Sequence, residues 1–269
     1  MRKKLSKLYS FIGAVAREPS LINLITNRRE SWREQFHTEQ GHSNPLEQIS
    51  LRDFAETQTF EIPYFTFLGG GSLPTDISLL RSACKKFPAC KYFEIGTWRG
   101  ESAINVADLT AVCHTLNLSA NEMQQRGFSQ EYIDAQAYLS KSHPKIEHFY
   151  GDSAQFDFAA LNTKYDVIFI DGSHHYKDVL SDTRKVLKHL AHKDSIIIWH
   201  DYAYSPEEVR YEVYKAIIDA LGVENQKHVY HVANTLCAIL SNKNYPTSTL
   251  QAPVLPTHAY EVKFTAKSL

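Results

Sequence analysis

Two pairs of residues in this chain have the types and spacing to move protons or to hold a cation. Asp171 is followed three positions later by His174 and then by His175, and His200 stands directly before Asp201. Each pair follows a short apolar run, Val167 to Ile170 and Ile196 to Trp199. If these runs are neighbouring strands, both acids and the histidines meet at one rim. A hydroxyl needs help to lose its proton, and a nearby base or a divalent cation can supply that help. Plainer roles fit too. Either Asp can cap the helix after it, and His174 and His175 can be surface residues.

A third constellation is Phe93-Glu94-Ile95-Gly96-Thr97-Trp98-Arg99-Gly100. Gly96 permits a sharp turn after a strand, and Gly100 permits close approach at the start of the next helix. The spacing differs from the G-x-G-x-x-G of dinucleotide binders, which disfavours a dehydrogenase. It suits a ligand without a pyrophosphate, with Glu94 available to an ammonium group and Thr97 and Trp98 in the turn. Asn117 ends the next apolar run, 23 residues beyond Glu94, near the ~20-residue spacing of ribose-binding acids in related folds. It can hydrogen-bond hydroxyls without the usual charge. Asp152 and Ser153 follow the third run, where they suit contacts to a base edge or a plain turn. Asp178 and Asp182, one turn apart, read as a solvated helix face.

The elements that must position these residues alternate. Strands are expected at Tyr92 to Ile95, Ala111 to Leu116, Ile146 to Tyr150, Tyr165 to Ile170 and Ser195 to Trp199. Helices are expected at Ser102 to Leu109, Ser129 to Lys141, Val179 to Leu190 and Pro206 to Leu221. Val229 to Val232 and Leu236 to Leu240 suit a closing antiparallel pair. Strands alternating with helices imply an α/β fold, a doubly wound, mostly parallel, Rossmann-like sheet covered on both faces. Ahead of it, Gly69 to Ser72 is a loop expected to cover the ligand, and Thr75-Asp76 caps a helix through Leu79, Leu80 and Cys84. Residues 1–60 read as a helical N-terminal extension, 61–245 as the main domain and 246–269, with Pro246, Pro253 and Pro256, as a tail. Leu5, Leu8, Phe11, Ile12 and Val15 fall on one face of a basic first helix that can touch a membrane surface. The alternative for that stretch is a short secretion signal.

The chain carries 29 Lys and Arg against 30 Asp and Glu, a net charge of -1, without the basic excess expected of a nucleic-acid binder. No apolar run reaches the ~20 residues needed to span a bilayer. None of the four cysteines forms a CxxC pair, and Cys113 and Cys237 read as buried thiols, which favours a reducing cytoplasm. The composition also leaves room for a homo-oligomer.

Taken in order, Phe93 to Ser102, Gly151-Asp152-Ser153, Val167 to Tyr176 and Ile198 to Tyr202 resemble the class I S-adenosylmethionine-dependent methyltransferases. The likeness is greatest to the subgroup with macrolide sugar O-methyltransferases and cephalosporin-biosynthesis relatives, and it covers roughly residues 68–240. The resemblance implies S-adenosylmethionine as donor, contacted by Glu94, Gly96, Thr97, Trp98, Gly100, Asn117, Asp152, Ser153 and Asp171. It implies a hydroxyl of a sugar or other small metabolite as acceptor. Asp171 and Asp201 become ligands of Mg2+ or another divalent cation, and His174 becomes the base. His200 stands where some relatives have an acid. A metal-free site with His200 as base, together with Asp201, is the alternative arrangement. An N- or C-methyltransferase, or a non-catalytic S-adenosylmethionine-binding protein, are the alternative functions.

Overall fold

The computed structural model describes residues 10, 12–18, 28–41 and 44–268. Leu5, Leu8 and Phe11 of the expected first helix lie outside these residues. The chain divides into two compact units, residues 1–44 and 45–269. In the first, residues 12–17 are helical and α1 spans Arg28–Gln40. That stretch has no Gly or Pro, and Gln35 donates to Glu39 one turn on.

The second unit is built on an eight-stranded sheet. Its strands are β1 (Gln48–Ile49), β2 (Cys90–Ile95), β3 (Thr110–Asn117), β4 (Ile146–Tyr150), β5 (Tyr165–Ile170) and β6 (Ala191–Trp199). A hairpin of β7 (Ala203–Ser205) and β8 (Glu208–Val209) stands apart, and β9 (Val229–Val232) and β10 (Ala238–Leu240) complete the sheet. The order is β1-β9-β10-β6-β5-β2-β3-β4. All pairs are parallel except those of β10 with β6 and β9, as expected of the closing pair. From β2 the chain moves one way through β3 and β4, then returns to place β5 on the other side of β2. That reversal leaves a crevice beyond the carboxyl ends of β2 and β5, where open α/β sheets bind ligands. Gln48–Ile49, within the expected extension, forms the edge strand.

Alternation in the strands explains the layers, because successive side chains point to opposite faces. Tyr92, Cys113, Val167, Phe169, Ile196 and Ile198 are buried under α2 (Leu51–Ala55), α3 (Pro74–Lys85) and α4 (Glu101–Val106). The other face carries α7 (Tyr176–Lys185), where buried Trp199 donates to Thr183 Oγ1 at 2.9 Å. Next to α7 packs α8 (Tyr211–Ala220).

Four local expectations need correction. The helix expected over Ser129 to Lys141 is only α6 (Gln130–Asp134), preceded by α5 (Ala120–Gln125). The Ala137 and Leu139 amides donate instead to the Trp98 and Arg99 carbonyls, at 2.5 and 2.9 Å, and Ala137 takes φ 52°. The helix expected from Pro206 begins only at Tyr211, because the Arg210 amide closes the β7–β8 hairpin on the Tyr202 carbonyl at 2.8 Å. The helix expected over Val179 to Leu190 starts at Tyr176 and widens into a π-turn at Val186–Leu190. Leu73, not Thr75 or Asp76, is the N-cap residue of α3. Pro74 follows it, and the Asp76 carboxylate accepts from the Leu73 amide at 2.6 Å.

Candidate active site

The turn after β2 is built for close contact. Gly96 has φ 92°, and a Cβ there would lie 2.1 Å from the Asp171 carbonyl oxygen. The glycine therefore lets the ends of β2 and β5 touch. Gly100, with φ 79°, makes the same allowance for Ser140, whose hydroxyl would lie 2.0 Å from an added Cβ. Above the switch point opens a cavity of about 470 Å³. Gly96, Trp98, Asn117, Asp152, Ser153 and Asp171 line it.

Glu94, Thr97 and Gly100 do not line the cavity and sit beneath or beside the turn. Glu94 is fully buried and accepts at one oxygen from Tyr92 and Ser102, both at 2.7 Å. Its other oxygen has no partner. Burial pushes its pKa up to about 8, against the lowering effect of the two hydroxyls. Thr97 is buried with its hydroxyl unpartnered, and its carbonyl accepts the Gly100 amide at 2.7 Å.

On the β3–β4 side, Asn117 donates to Gln136 at 2.6 Å. Asp152 pairs with Arg126 at 2.6 Å and accepts the Ala154 amide at 2.9 Å, so its turn role is real as well. Sequence reasoning missed the wall of this side. Trp98, Tyr132 and Phe128 form a stack, with centroids 4.1 and 4.9 Å apart, that lines the cavity. No local motif marks that wall, since Phe128 and Tyr132 read as ordinary aromatics. Asp182 is a correction: it is 2% exposed, not solvated, and lines the cavity with one oxygen unpartnered. Burial raises its pKa to about 6. The Gly69 to Ser72 loop packs against the outside of the turn, where Arg99 donates to the Gly69 carbonyl at 2.9 Å.

The rim at β5 and β6 brings the expected acids and histidines together. His200 Nδ1 lies 3.0 Å from Asp171 Oδ1 and 3.5 Å from Asp201 Oδ2. His200 Nε2 lies 3.3 Å from Asp76 Oδ2. The imidazole is buried, and Nδ1 lacks an aligned hydrogen-bond partner despite those short distances. Burial opposes charge on this ring, yet the three carboxylates hold its pKa well above the ordinary value. Burial raises Asp171 against the pull of His200. Asp201 is lowered despite burial, by His200 and by Arg210, whose guanidinium lies 3.2 Å away. Asp201 takes φ 58°, a strained backbone for this residue.

His200 therefore does not suit the role of general base. Its ring is shut away among acids that favour its proton. His174 is half exposed, 4.0 Å from Asp201 Oδ2. Burial and Arg210 hold its pKa below the ordinary value, so it is neutral near pH 7. His175 caps α7 and faces Glu212 at 3.5 Å. Tyr202 is buried and accepts the Leu46 amide at 3.0 Å. Tyr204 lies under the Arg210 guanidinium. Sequence reasoning missed Asp76 and Arg210. Asp76 lies 95 residues before Asp171 and carries no motif of its own.

Residues 93–202 match the model of a methyltransferase-domain family. No curated protein matches the chain in sequence. Several solved structures are similar. A Podospora anserina methyltransferase bound to S-adenosylhomocysteine is 16% identical over 81% of this chain and 97% of its own, with a TM-score of 0.46. An O-methyltransferase of tomaymycin synthesis from Streptomyces achromogenes, bound to S-adenosylmethionine, is 15% identical over 80% and 99%, at 0.45. A TDP-rhamnose 3'-O-methyltransferase of calicheamicin biosynthesis is 13% identical over 63% and 78%, at 0.44. Likeness at these values adds nothing to what the strand order shows. The matched segment runs from β2 to just past β6 and so holds the switch-point crevice: residues 93–202 match a methyltransferase domain, laid on a Rossmann-like sheet.

Proposed function

We propose that the enzyme transfers the methyl group of S-adenosylmethionine to a hydroxyl oxygen of a sugar or other small metabolite. The observation that carries this reading is the juxtaposition at one rim of a half-exposed neutral histidine, His174, with the acids Asp171 and Asp201, beside the cavity on the Gly96 turn. A sulfonium is already a good leaving group, so the protein has two tasks: to hold the acceptor in line and to take its proton. A sulfonium donor transfers to oxygen only as the alcohol proton leaves. His174 accepts that proton, and the Asp201 carboxylate stabilises the imidazolium that forms. The Gly96 turn holds the amino acid end of the donor, Asn117 the ribose hydroxyls, and Asp152 and Ser153 the adenine edge.

The rim also fits a divalent cation. Asp171, His200 and Asp201 would hold it, each offering one ligand atom within 4.8 Å of the others. The orphaned, buried Nδ1 of His200 is what a missing partner leaves behind. When bound, such an ion would supply Lewis acidity that lowers the pKa of an acceptor hydroxyl.

Four buried unpaired cysteines support a cytoplasmic protein. Among the described residues no helix is long and apolar enough to cross a membrane.

The test is a methyl-transfer screen with labelled donor over hydroxylated metabolites. His174→Ala is expected to lower kcat on the accepted substrate by roughly 10²–10⁴-fold with donor binding intact. Unchanged kcat removes His174 as the base, and absence of donor binding by the wild type removes the whole reading.

A further inference from the structure

We propose that the rim site selects a transition-series dication, of the Mn2+, Fe2+ or Zn2+ kind, over Mg2+ and Ca2+, with His200 Nδ1 as its nitrogen ligand and Asp76 as the positioning residue behind it. The inference rests on the reading of this rim as the catalytic site.

Three observations carry it. First, the donor set is mixed: two carboxylates and an imidazole. Mg2+ and Ca2+ take oxygen shells, whereas imidazole suits borderline transition ions. Second, the two spacings between the imidazole and the carboxylates match those of ligands sharing an ion. Ligands at about 2.0–2.1 Å from a metal stand roughly 3.0 Å apart at right angles and roughly 3.4 Å apart at tetrahedral angles. His200 Nδ1 stands 3.0 Å from Asp171 Oδ1 and 3.5 Å from Asp201 Oδ2. The Nδ1 position lacks the alignment of a hydrogen bond to either acid. Third, the far side of the ring is already fixed.

Asp76 Oδ2 faces His200 Nε2 at 3.3 Å. Asp76 is itself fully buried and pinned, accepting the Leu73 amide at 2.6 Å and the Leu236 amide at 2.8 Å. A proton kept on Nε2 by this carboxylate leaves the Nδ1 lone pair for a cation, the arrangement of carboxylate, histidine and metal found where outer groups orient a ligand. The groups around the ring come from every neighbouring element. Asp76 is on α3, Asp171 at the end of β5, Asp201 after β6, Cys237 before β10, Arg210 before α8 and His174 before α7. Arg210 engages Asp201 Oδ1 and leaves Oδ2 turned toward His200.

The experiment is metal titration of the wild-type chain by calorimetry, with pulsed electron paramagnetic resonance on the Mn2+ form and a parallel titration of S-adenosylmethionine. One Mn2+ per chain is expected, at least 10-fold tighter than Mg2+, with hyperfine coupling to a histidine nitrogen. Asp76→Asn is expected to weaken Mn2+ by roughly 10–100-fold. His200→Asp is expected to abolish the nitrogen coupling and to move the Mn2+ to Mg2+ preference at least 10-fold toward Mg2+. Mg2+ binding as tightly as Mn2+, Mn2+ bound without nitrogen coupling, or no ion bound while the donor still binds would each overturn the proposal and leave the methyltransferase reading standing. Loss of donor binding would instead count against that reading. The wild-type spectrum decides the point even if a variant fails to fold.

Discussion

At the residue scale, Glu94 shows how a motif position changes meaning once its surroundings are known. As a letter ahead of a glycine it is an acid available to an ammonium group. In the fold it is sealed beneath the turn, keeps one oxygen without a partner, and holds its proton to about pH 8. Its folded pKa lies above the unfolded value of 4.5, so its contribution to stability is fully present below that pH and is lost as pH rises through 8. Stability measured by denaturant is therefore expected to fall from about pH 4.5 to about pH 8 and to level off above. Glu94→Gln, which resembles the protonated acid, should flatten that slope and be the more stable form at pH 8.5. An unchanged slope in the variant would show that other groups set it. His200 shows the reverse change. Its sequence position suggested a base, and its burial among three acids removes that role.

At the element scale, the loop after β4 is held by a helix on the opposite face. Lys185, at the end of α7, donates to the Ser153 carbonyl at 2.7 Å and to that of Ala154. This single ammonium fixes the wall on which Asp152 and Ser153 meet the cavity. Lys185→Met keeps the aliphatic stem but removes the ammonium, which also sits over the Phe158 ring, and so releases both carbonyls. We expect KM for the donor to rise roughly tenfold with kcat nearly unchanged, since a group binding ground and transition states alike acts on KM alone. A fall in kcat of the same size would place Lys185 in the chemistry instead. The short α6 belongs to this scale too. Its expected continuation was broken because the turn at Trp98 and Arg99 supplies better partners for the amides of Ala137 and Leu139.

For the whole molecule, stability should be graded from the sheet outward. The central strands β2, β5 and β6 are buried on both faces, whereas residues 250–268 are mostly exposed and carry no regular structure. Hydrogen exchange is expected to be slowest at β2, β5 and β6, where exchange requires global opening, and fast across 250–268. Protection of that tail comparable to the sheet would mean that its contacts, such as Phe264 against Phe67, bind it into the cooperative unit.

The sequence by itself determined the order of strands and helices in the main domain, the parallel sheet and the Gly96 turn. These rest on local signals: two-residue alternation, apolar runs and the special backbone of glycine. It also named the four rim residues Asp171, His174, His200 and Asp201, because each follows a strand that can be recognised. Only the tertiary structure decided their roles. Desolvation and charge depend on what lies across space, and Asp76 and Arg210 come from distant segments without a motif. The same holds for Asp182, taken from the sequence as solvated and found buried in the cavity wall. Periodicity reports which side of an element faces inward; it carries no record of which charge waits there.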